Sequence, residues 1–362
     1  MQEPLPSTPM SYLGESESPR RFQFIALCKS LSKAYADLAS KAGPRESICA
    51  YLLLDRWNEA ELAEDFTSHF PIEASQRIAV PDSHFKGRED SAPCLVPMPS
   101  AMFPAPSGTG SLAEAKAQEQ LARWLELTWQ QSQKRLVSIS LCAILFSDQP
   151  ITTVADHFAL LGVQMPPGGG PSRLFRYQDP RVMQRVWPRL SHDQQMRWLG
   201  PVRQWWAIVQ PWGAMDLGQL IGDDLTNSAD PHWLCAHGSD TGAKPTSGHE
   251  IHQLFQKEQW QCAHGASAGN LVWQRLAMDA IRLEDQLDGR QMNSLLDMGN
   301  TLGLAGRDLK DFVWCSWRYR GEAPAVDWRN ERWKSILDGV LATIRNDPDT
   351  GFAEALNAQL SD

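Results

Sequence analysis

The stretch RLFRYQDPRV, residues 173–182, predicts a strand end that turns directly into a helix. Residues 174–177 form a short predicted strand, and Asp179 and Pro180 stand where a helix N-cap and the first helical residue belong. Apolar residues follow at helical spacing from Met183 to Leu190. The stretch therefore predicts a strand-to-helix junction within a layered domain.

Predicted strands and helices alternate on both sides of this junction. Before it, the spacing predicts strands at 48–54, 94–98 and 136–146, and helices at 22–38, 58–70, 112–134 and around 154–161. After it, Ser191 and Gln194 form a capping box, Gly200-Pro201 ends the helix, and 202–210 alternates as a strand. This alternation predicts an α/β domain with a mixed sheet and flanking helices.

The ends and the middle of the chain differ in composition from that domain. Residues 1–20 are polar and rich in Pro and Ser, which predicts a disordered tail before an α/β domain at 21–210. Residues 211–269 are rich in Gly, Asp, His, Ser and Pro, which predicts a variable loop region with a short helix near 249–257. Helical spacing returns at 270–362 and predicts a helical C-terminal lobe.

Composition narrows the class of protein. The 34 Lys and Arg against 43 Asp and Glu give a net charge of -9, which opposes non-specific attraction to nucleic acid or anionic lipid. The longest apolar run, 136–146, is well short of a membrane-spanning helix, and seven scattered cysteines favour a reducing compartment. The 15 Trp residues suit both core packing and interface anchoring. These features predict a cytoplasmic protein without a signal peptide.

One segment carries a weak catalytic pattern. Residues 265–269, Gly-Ala-Ser-Ala-Gly, match a nucleophile elbow, in which a strained turn exposes Ser267. That motif needs a buried strand before it and usually a later histidine, whereas 256–261 is polar and His264 is the last histidine of the chain. A hydrolase using Ser267 is one alternative, and a small-residue turn with Asn270 as the next helix cap is the other.

A short internal repeat carries a possible metal pattern. The segments 233–238 and 260–265 both read Trp-x-Cys-Ala-His-Gly. Their paired thiols and imidazoles, with two further histidines as substitutes, give the weak zinc candidates: Cys235, His237, Cys262 and His264, then His249 and His252. Ligands two residues apart need an unusual bend, so two aromatic-anchored turns are the alternative.

Nucleotide and acid–base patterns are weaker still. Residues 168–170 are three glycines without the Lys-Ser/Thr of a phosphate loop. His157 lies beside an apolar helix face without a visible partner, which favours a core histidine over a general base. We therefore expect no catalytic residue, no cofactor and no enzyme activity.

The sequence around the junction resembles the domain-of-unknown-function 4123 family, the adaptor or chaperone proteins of bacterial type VI secretion. The resemblance rests on 173–182, Leu190, 199–202 and Trp205-Trp206, and on 51–55, 92–96, the Trp124 helix and 136–147. It covers about residues 48–210. It implies a cytoplasmic adaptor that binds the N-terminal segment of a cognate toxic effector and loads it onto the spike protein, without nucleic acid or membrane insertion.

Candidate contact residues follow from this resemblance and from Trp-rich segments. The first set is Arg176, Tyr177, Asp179, Arg181, Trp205 and Trp206, and the second is Trp314 and Trp317 in the C-terminal lobe, near Trp328 and Trp333. The two arginines suit bidentate carboxylate pairing, either inside the fold or on a client surface. Likewise, the Trp residues suit either a core or an interface. The sequence leaves both alternatives open, and a zinc-dependent binding module remains a third reading of the whole chain.

Overall fold

A computed structural model describes residues 19–42, 47–56, 77–104, 111–134, 140–209, 220–221, 232–238, 248–279, 281, 285 and 287–361. Its strands are β1 Cys49–Leu54, β2 Ile78–Ala79, β3 Cys94–Met98, β4 Leu141–Ser147, β5 Val163–Gln164, β6 Arg173–Leu174, β7 Val202–Val209, β8 Leu220–Ile221 and β9 His232–His237. Its helices are α1 Pro19–Lys41, α2 Leu112–Lys134, α3 Ile151–Leu161, α4 Pro180–Val186, α5 His192–Leu199, α6 Gly248–His252, α7 Lys257–Met278, α8 Gly289–Thr301, α9 Gly306–Arg318, α10 Glu331–Asn346 and α11 Phe352–Ser361.

Seven of the described strands form one sheet in the order β2-β3-β1-β4-β7-β9-β8. The α/β class with a helical C-terminal region is confirmed, but every described strand pair is antiparallel rather than mixed. The alternation of strands and helices along the chain did not predict the strand direction. The connection between β4 and β7 contains three helices and a separate hairpin of β5 and β6, yet the two strands it joins are antiparallel. The central strand β4 is buried over its whole length, as its continuous apolar run predicts.

The two faces of the sheet carry separate cores, because neighbouring strand residues point to opposite faces. On one face, Leu52 and Trp206 pack with α1 and α2 through residues such as Leu31. On the other face, Leu53 and Trp205 pack with α3, α4 and α5. The sheet is thus covered by helices on both sides.

The helices from α7 onward build a third core, which includes Leu276, Phe312, Trp328, Val340 and Phe352. The α7 helix joins this core to the sheet domain, since its first half contributes to the α3–α5 core and its second half to the third core. It packs against α4, α8 and α9. None of the helices in the described part of the chain has the length and apolar character that a bilayer crossing requires.

The prediction of a loop region at 211–269 is wrong where the structure describes it. Strand β9 pairs with β7 and extends the sheet, and α7 begins at Lys257. Strand β9 has only six residues with a histidine at each end, and α7 is interrupted by polar and small residues, so neither element shows a long apolar pattern. The short helix predicted near 249–257 is α6, at 248–252. The predicted tail before residue 19 and the predicted helix at 58–70 lie outside the described residues.

Candidate functional site

At the 173–182 junction the predicted helix start is confirmed. Asp179 has extended backbone angles and caps α4, its side chain accepting the Arg181 amide at 3.0 Å, and Pro180 follows as the first helical residue. The predicted strand at 174–177 is wrong beyond Leu174, where β6 ends. The junction positions two arginines, one on each side of the Asp179 carboxylate.

These arginines and two carboxylates form a single ion-pair network. Arg181 donates from Nε and Nη2 to the two oxygens of Asp179 at 2.9 and 2.7 Å. Arg176 donates to Asp55, the residue directly after β1, and lies 3.9 Å from Asp179. The network therefore connects the end of β1 to the start of α4.

The network shifts the pKa of two of its members, Asp179 and Arg176. Burial opposes ionisation of Asp179, but the charge and hydrogen bonds of Arg181, aided by Arg176, hold the pKa of this carboxyl well below its usual range. Burial likewise disfavours the charged form of Arg176, but Asp55 and Asp179 outweigh it and raise the pKa of the guanidinium. Asp179 and Arg176 are therefore both charged at neutral pH.

Burial distinguishes the two interpretations of the predicted contact residues, which are packing inside the fold and contact with a partner. Tyr177, Asp179, Arg181, Trp205, Trp206, Trp314 and Trp317 are all buried, with at most 9 % of each residue exposed. Among the predicted residues, Arg176 alone keeps substantial exposure, with 26 % of its side chain accessible. Burial thus agrees with the internal, scaffolding alternative for seven of these residues, and Arg176 is the predicted contact residue whose side chain remains accessible.

The four predicted Trp residues belong to three different cores. Trp205 and Trp206 face opposite sides of the sheet. Trp314 and Trp317 lie 5.2 Å apart between ring centroids in the third core. Arg275 and Arg320 cover these two rings at 3.8 and 4.2 Å, respectively. The Trp residues thus do not form one exposed patch.

The nucleophile-elbow interpretation of Ser267 is wrong, and so is the small-residue turn. Residues 265–269 lie within α7, and the Ser267 hydroxyl donates to the carbonyl of His264 at 2.8 Å, as helical serines do. The small residues allow close packing, since a Cβ at Gly269 would lie 3.0 Å from Arg185 Nη2 and 3.1 Å from Leu296.

The four weak zinc candidates do not converge. Cys235 belongs to the core on the α1–α2 face of the sheet, and Cys262 belongs to the opposite core. Cys235 Sγ lies 3.6 Å from His237 Nε2, whereas the His264 ring packs at a tilt against Trp260, with ring centroids 4.0 Å apart. Among the residues that the structure describes, no three His, Cys, Asp or Glu side chains are grouped to hold a metal ion.

The remaining predicted histidines have structural partners. His157 Nε2 lies 2.9 Å from the carbonyl of Trp198, and burial lowers the pKa of this imidazole. His252 Nδ1 lies 2.7 Å from the carbonyl of Val163. The side chain of His249 lies outside the described residues. His157 therefore matches the core histidine that its apolar surroundings predict.

A groove of about 330 Å³ lies beside the ion-pair network, between the 174–182 segment and α7. Its lining includes Leu174, Phe175, Arg176, Arg181, Val182, Ala263, His264, Ser267, Asn270, Leu271 and Gln274. Asn270 Nδ2 donates to Asp179 at 3.3 Å, which connects α7 to the network. The groove thus combines the most exposed arginine of the network with the accessible face of α7.

Sequence reasoning missed three residues of this site. Asp55 ends the 51–55 segment of the resemblance, but its partner Arg176 is 121 positions away, and no local spacing reveals such a pair. Arg185 follows Arg181 by one helical turn and is buried, with Nη1 donating to the carbonyl of Ala266 at 2.9 Å. Asn270 was expected to cap a helix that in fact begins 13 residues earlier.

Comparison with known families agrees with the resemblance noted in the sequence. Residues 50–197 match the model of a family described as Domain of unknown function (DUF4123). The matched segment runs from β1 to α5, so it contains Asp55, Arg176, Asp179 and Arg181, whereas the α7 wall of the groove lies beyond it. Searches of curated proteins and of solved structures found no match.

Proposed function

We propose that this chain, which carries a domain of the DUF4123 family at residues 50–197, is an adaptor or chaperone of a bacterial type VI secretion system. It binds a cognate toxic effector in the cytoplasm and loads it onto the spike protein of the secretion machine. The match over residues 50–197 carries the proposal, since the family has a general association with type VI adaptors.

The arrangement of charges supports a binding role. Arg181 and Asp179 are buried against each other and rigidify the junction, while Arg176 reaches the surface beside a groove. A rigid framework that holds one accessible charged group suits recognition, because little conformational entropy is lost on binding.

The chemistry of the possible nucleophiles supports a non-catalytic role. Ser267 is hydrogen-bonded to its own helix, and the described thiols Cys142 and Cys262 are buried. Burial raises the pKa of both thiols, so they are protonated at neutral pH and poorly nucleophilic. We therefore propose that the protein acts on its partners by binding alone.

The test is a pull-down of the tagged full chain from the native cytoplasm, read by mass spectrometry against a tag-only control. We expect one large toxin-like protein together with a spike component. Recovery of neither, from cells shown to express the secretion system, would contradict the proposal. Metal analysis of the same purified protein gives a second readout, and one zinc per chain would favour the zinc-dependent binding module instead.

A further inference from the structure

The groove beside the ion-pair network is rich in cations. Among the described residues, the guanidinium groups of Arg176, Arg181 and Arg185 lie close to the carboxylates of Asp55 and Asp179. A third carboxylate, that of Asp297, also acts on Arg185 but is paired with Arg189. The groove therefore carries a local positive charge although the whole chain has a net charge of -9. An anionic group is the ligand that this local charge favours.

Polar atoms at the groove have no hydrogen-bond partner within the described structure. They are Nε of Arg176, Nε2 of His264 and Oδ1 of Asn270, and all three are buried. A buried polar atom without a partner is unfavourable, so a ligand that supplies partners is favoured. All three residues line the groove, so a bound segment whose polar groups reach these atoms would supply the missing partners.

Two exposed apolar side chains lie on α7, one in the groove and one beyond it. Leu271 lines the groove and is 51 % exposed, and Met278 lies two helical turns further on and is 78 % exposed. These are two of the four large apolar side chains that the structure describes as exposed, with Leu112 and Met165 elsewhere. Apolar residues spaced in this way on one helix face suit contact with a peptide segment rather than with a small anion.

We infer that this groove binds a peptide segment in which an acidic side chain lies next to apolar residues. The carboxylate pairs with Arg176, and the apolar side chains cover Leu271 and Met278. The inference rests on the proposed function only for the source of the segment, which is the cognate effector. The binding chemistry itself follows from the groove.

The test uses a displayed library of random 12-residue peptides, panned against the full-length chain. Enriched peptides are synthesised, and their affinity is measured by fluorescence polarisation. We expect Asp or Glu beside apolar residues in the enriched sequences, and a loss of affinity when that acid is replaced by its amide.

Ser267→Glu and Ser267→Lys are the matched variants, because Ser267 is exposed and lines the groove. The added carboxylate of Ser267→Glu repels the acidic peptide and weakens binding by about tenfold or more, whereas the added ammonium of Ser267→Lys attracts it and strengthens binding. Ser294→Glu, at an exposed position of α8 outside the groove lining, leaves affinity unchanged. Thermal unfolding of each variant verifies that it is folded.

Three results would overturn the inference: no enrichment, enriched peptides that are neutral or basic, or binding that Ser267→Glu does not weaken. Titration with inorganic phosphate is the fourth arm, and phosphate binding without peptide binding would identify a small-anion site. Because the library contains no effector, a failed pull-down with a positive peptide result rejects the adaptor proposal alone. The reverse outcome rejects the groove alone.

Discussion

Arg181 clamps the carboxylate of Asp179 with two parallel hydrogen bonds, 2.9 and 2.7 Å long, while both side chains are almost fully buried. One oxygen of the same carboxylate also accepts the Arg181 amide and caps α4. A single aspartate thus fixes the helix start and the guanidinium orientation together. The rigid junction in turn holds Arg176 between Asp55 and the groove.

Replacement of this aspartate by its amide isolates the role of the charge. Asp179→Asn keeps an N-cap residue but leaves the Arg181 guanidinium without its buried counter-charge. We expect the free energy of unfolding to fall by about 3–5 kcal/mol, the usual cost of breaking a buried ion pair. Urea denaturation followed by circular dichroism measures this change.

The exposed pair between Arg189 and Asp297 is the matched control. Its two side chains are 39 % and 47 % exposed, although it also has two hydrogen bonds, of 3.1 and 2.7 Å. Asp297→Asn is expected to cost less than about 1 kcal/mol, because solvent screens the charges. Equal losses in the two variants would show that the burial of Asp179 adds nothing to the strength of its pair.

Alanine substitutions at two helix glycines distinguish the effect of helix propensity on stability from the effect of close packing. A Cβ at Gly265 would make ordinary contacts, 3.4 Å from Asn300 and 3.5 Å from Leu309. Gly265→Ala should therefore raise the free energy of unfolding by about 0.5–1 kcal/mol. A Cβ at Gly299 would overlap Leu309 and lie 3.2 Å from Phe312, so Gly299→Ala should lower it by about 1–3 kcal/mol. Stabilisation by both alanines would refute the packing argument.

The imidazole of His264 predicts a loss of stability in mild acid. Burial, aided by the charge of Arg173, lowers the pKa of His264 to about 4. The unfolded chain binds this proton below about pH 6.5, whereas the folded chain remains neutral there, so acid favours unfolding. Stability should be unaffected by this group above pH 6.5 and should fall by up to roughly 3 kcal/mol between pH 6.5 and 4.

The variant His264→Gln tests this assignment, because glutamine keeps a polar amide and suits a helix. Denaturation from pH 7 to pH 4 should give a shallower decline for the variant than for the native chain. A decline should remain, since burial also lowers the pKa of His157. Identical slopes in the two proteins would assign the acid sensitivity to other groups.

Much of the fold could be predicted because local signals and burial agree. The helix at 112–134 and the strand at 94–98 have the predicted bounds, and the capping box of Ser191 and Gln194 forms as expected. Strand β9 and helix α7 were missed for a common reason. Neither sequence has a clear apolar period. Strand β9 is positioned by its pairing with β7, and α7 by close packing at its small residues.

The site was less predictable, since its geometry depends on distant residues. The cap at Asp179 is a local feature and was found, but the Asp55–Arg176 pair joins two parts of the chain that share no local pattern. The groove needed the position of α7, which was read as a loop and a turn. Sequence could therefore identify the charged residues of the junction but not the surface that they leave open.

The last prediction concerns the Trp residues of the C-terminal lobe. Substitution of a core Trp lowers the stability of the fold, whereas substitution of an interface Trp lowers the affinity for a partner. Trp317 is 9 % exposed, its Nε1 donates to the carbonyl of Asp285 at 2.8 Å, and Arg320 covers its ring. Trp317→Phe removes this hydrogen bond and part of the packed ring, so the free energy of unfolding should fall by about 1–3 kcal/mol.

The affinity of the folded variant for the captured effector should be unchanged, because the ring lies inside the lobe. An interface anchor would give the opposite result, a loss of about 2 kcal/mol or more in binding. Tyr319→Phe is the control, since it removes only an exposed hydrogen bond of 2.9 Å to Asn357 and should change stability by less than about 0.5 kcal/mol. Weakened capture by Trp317→Phe with unchanged stability would restore the interface reading, because a buried core residue cannot contribute to binding without also contributing to the fold that presents the surface.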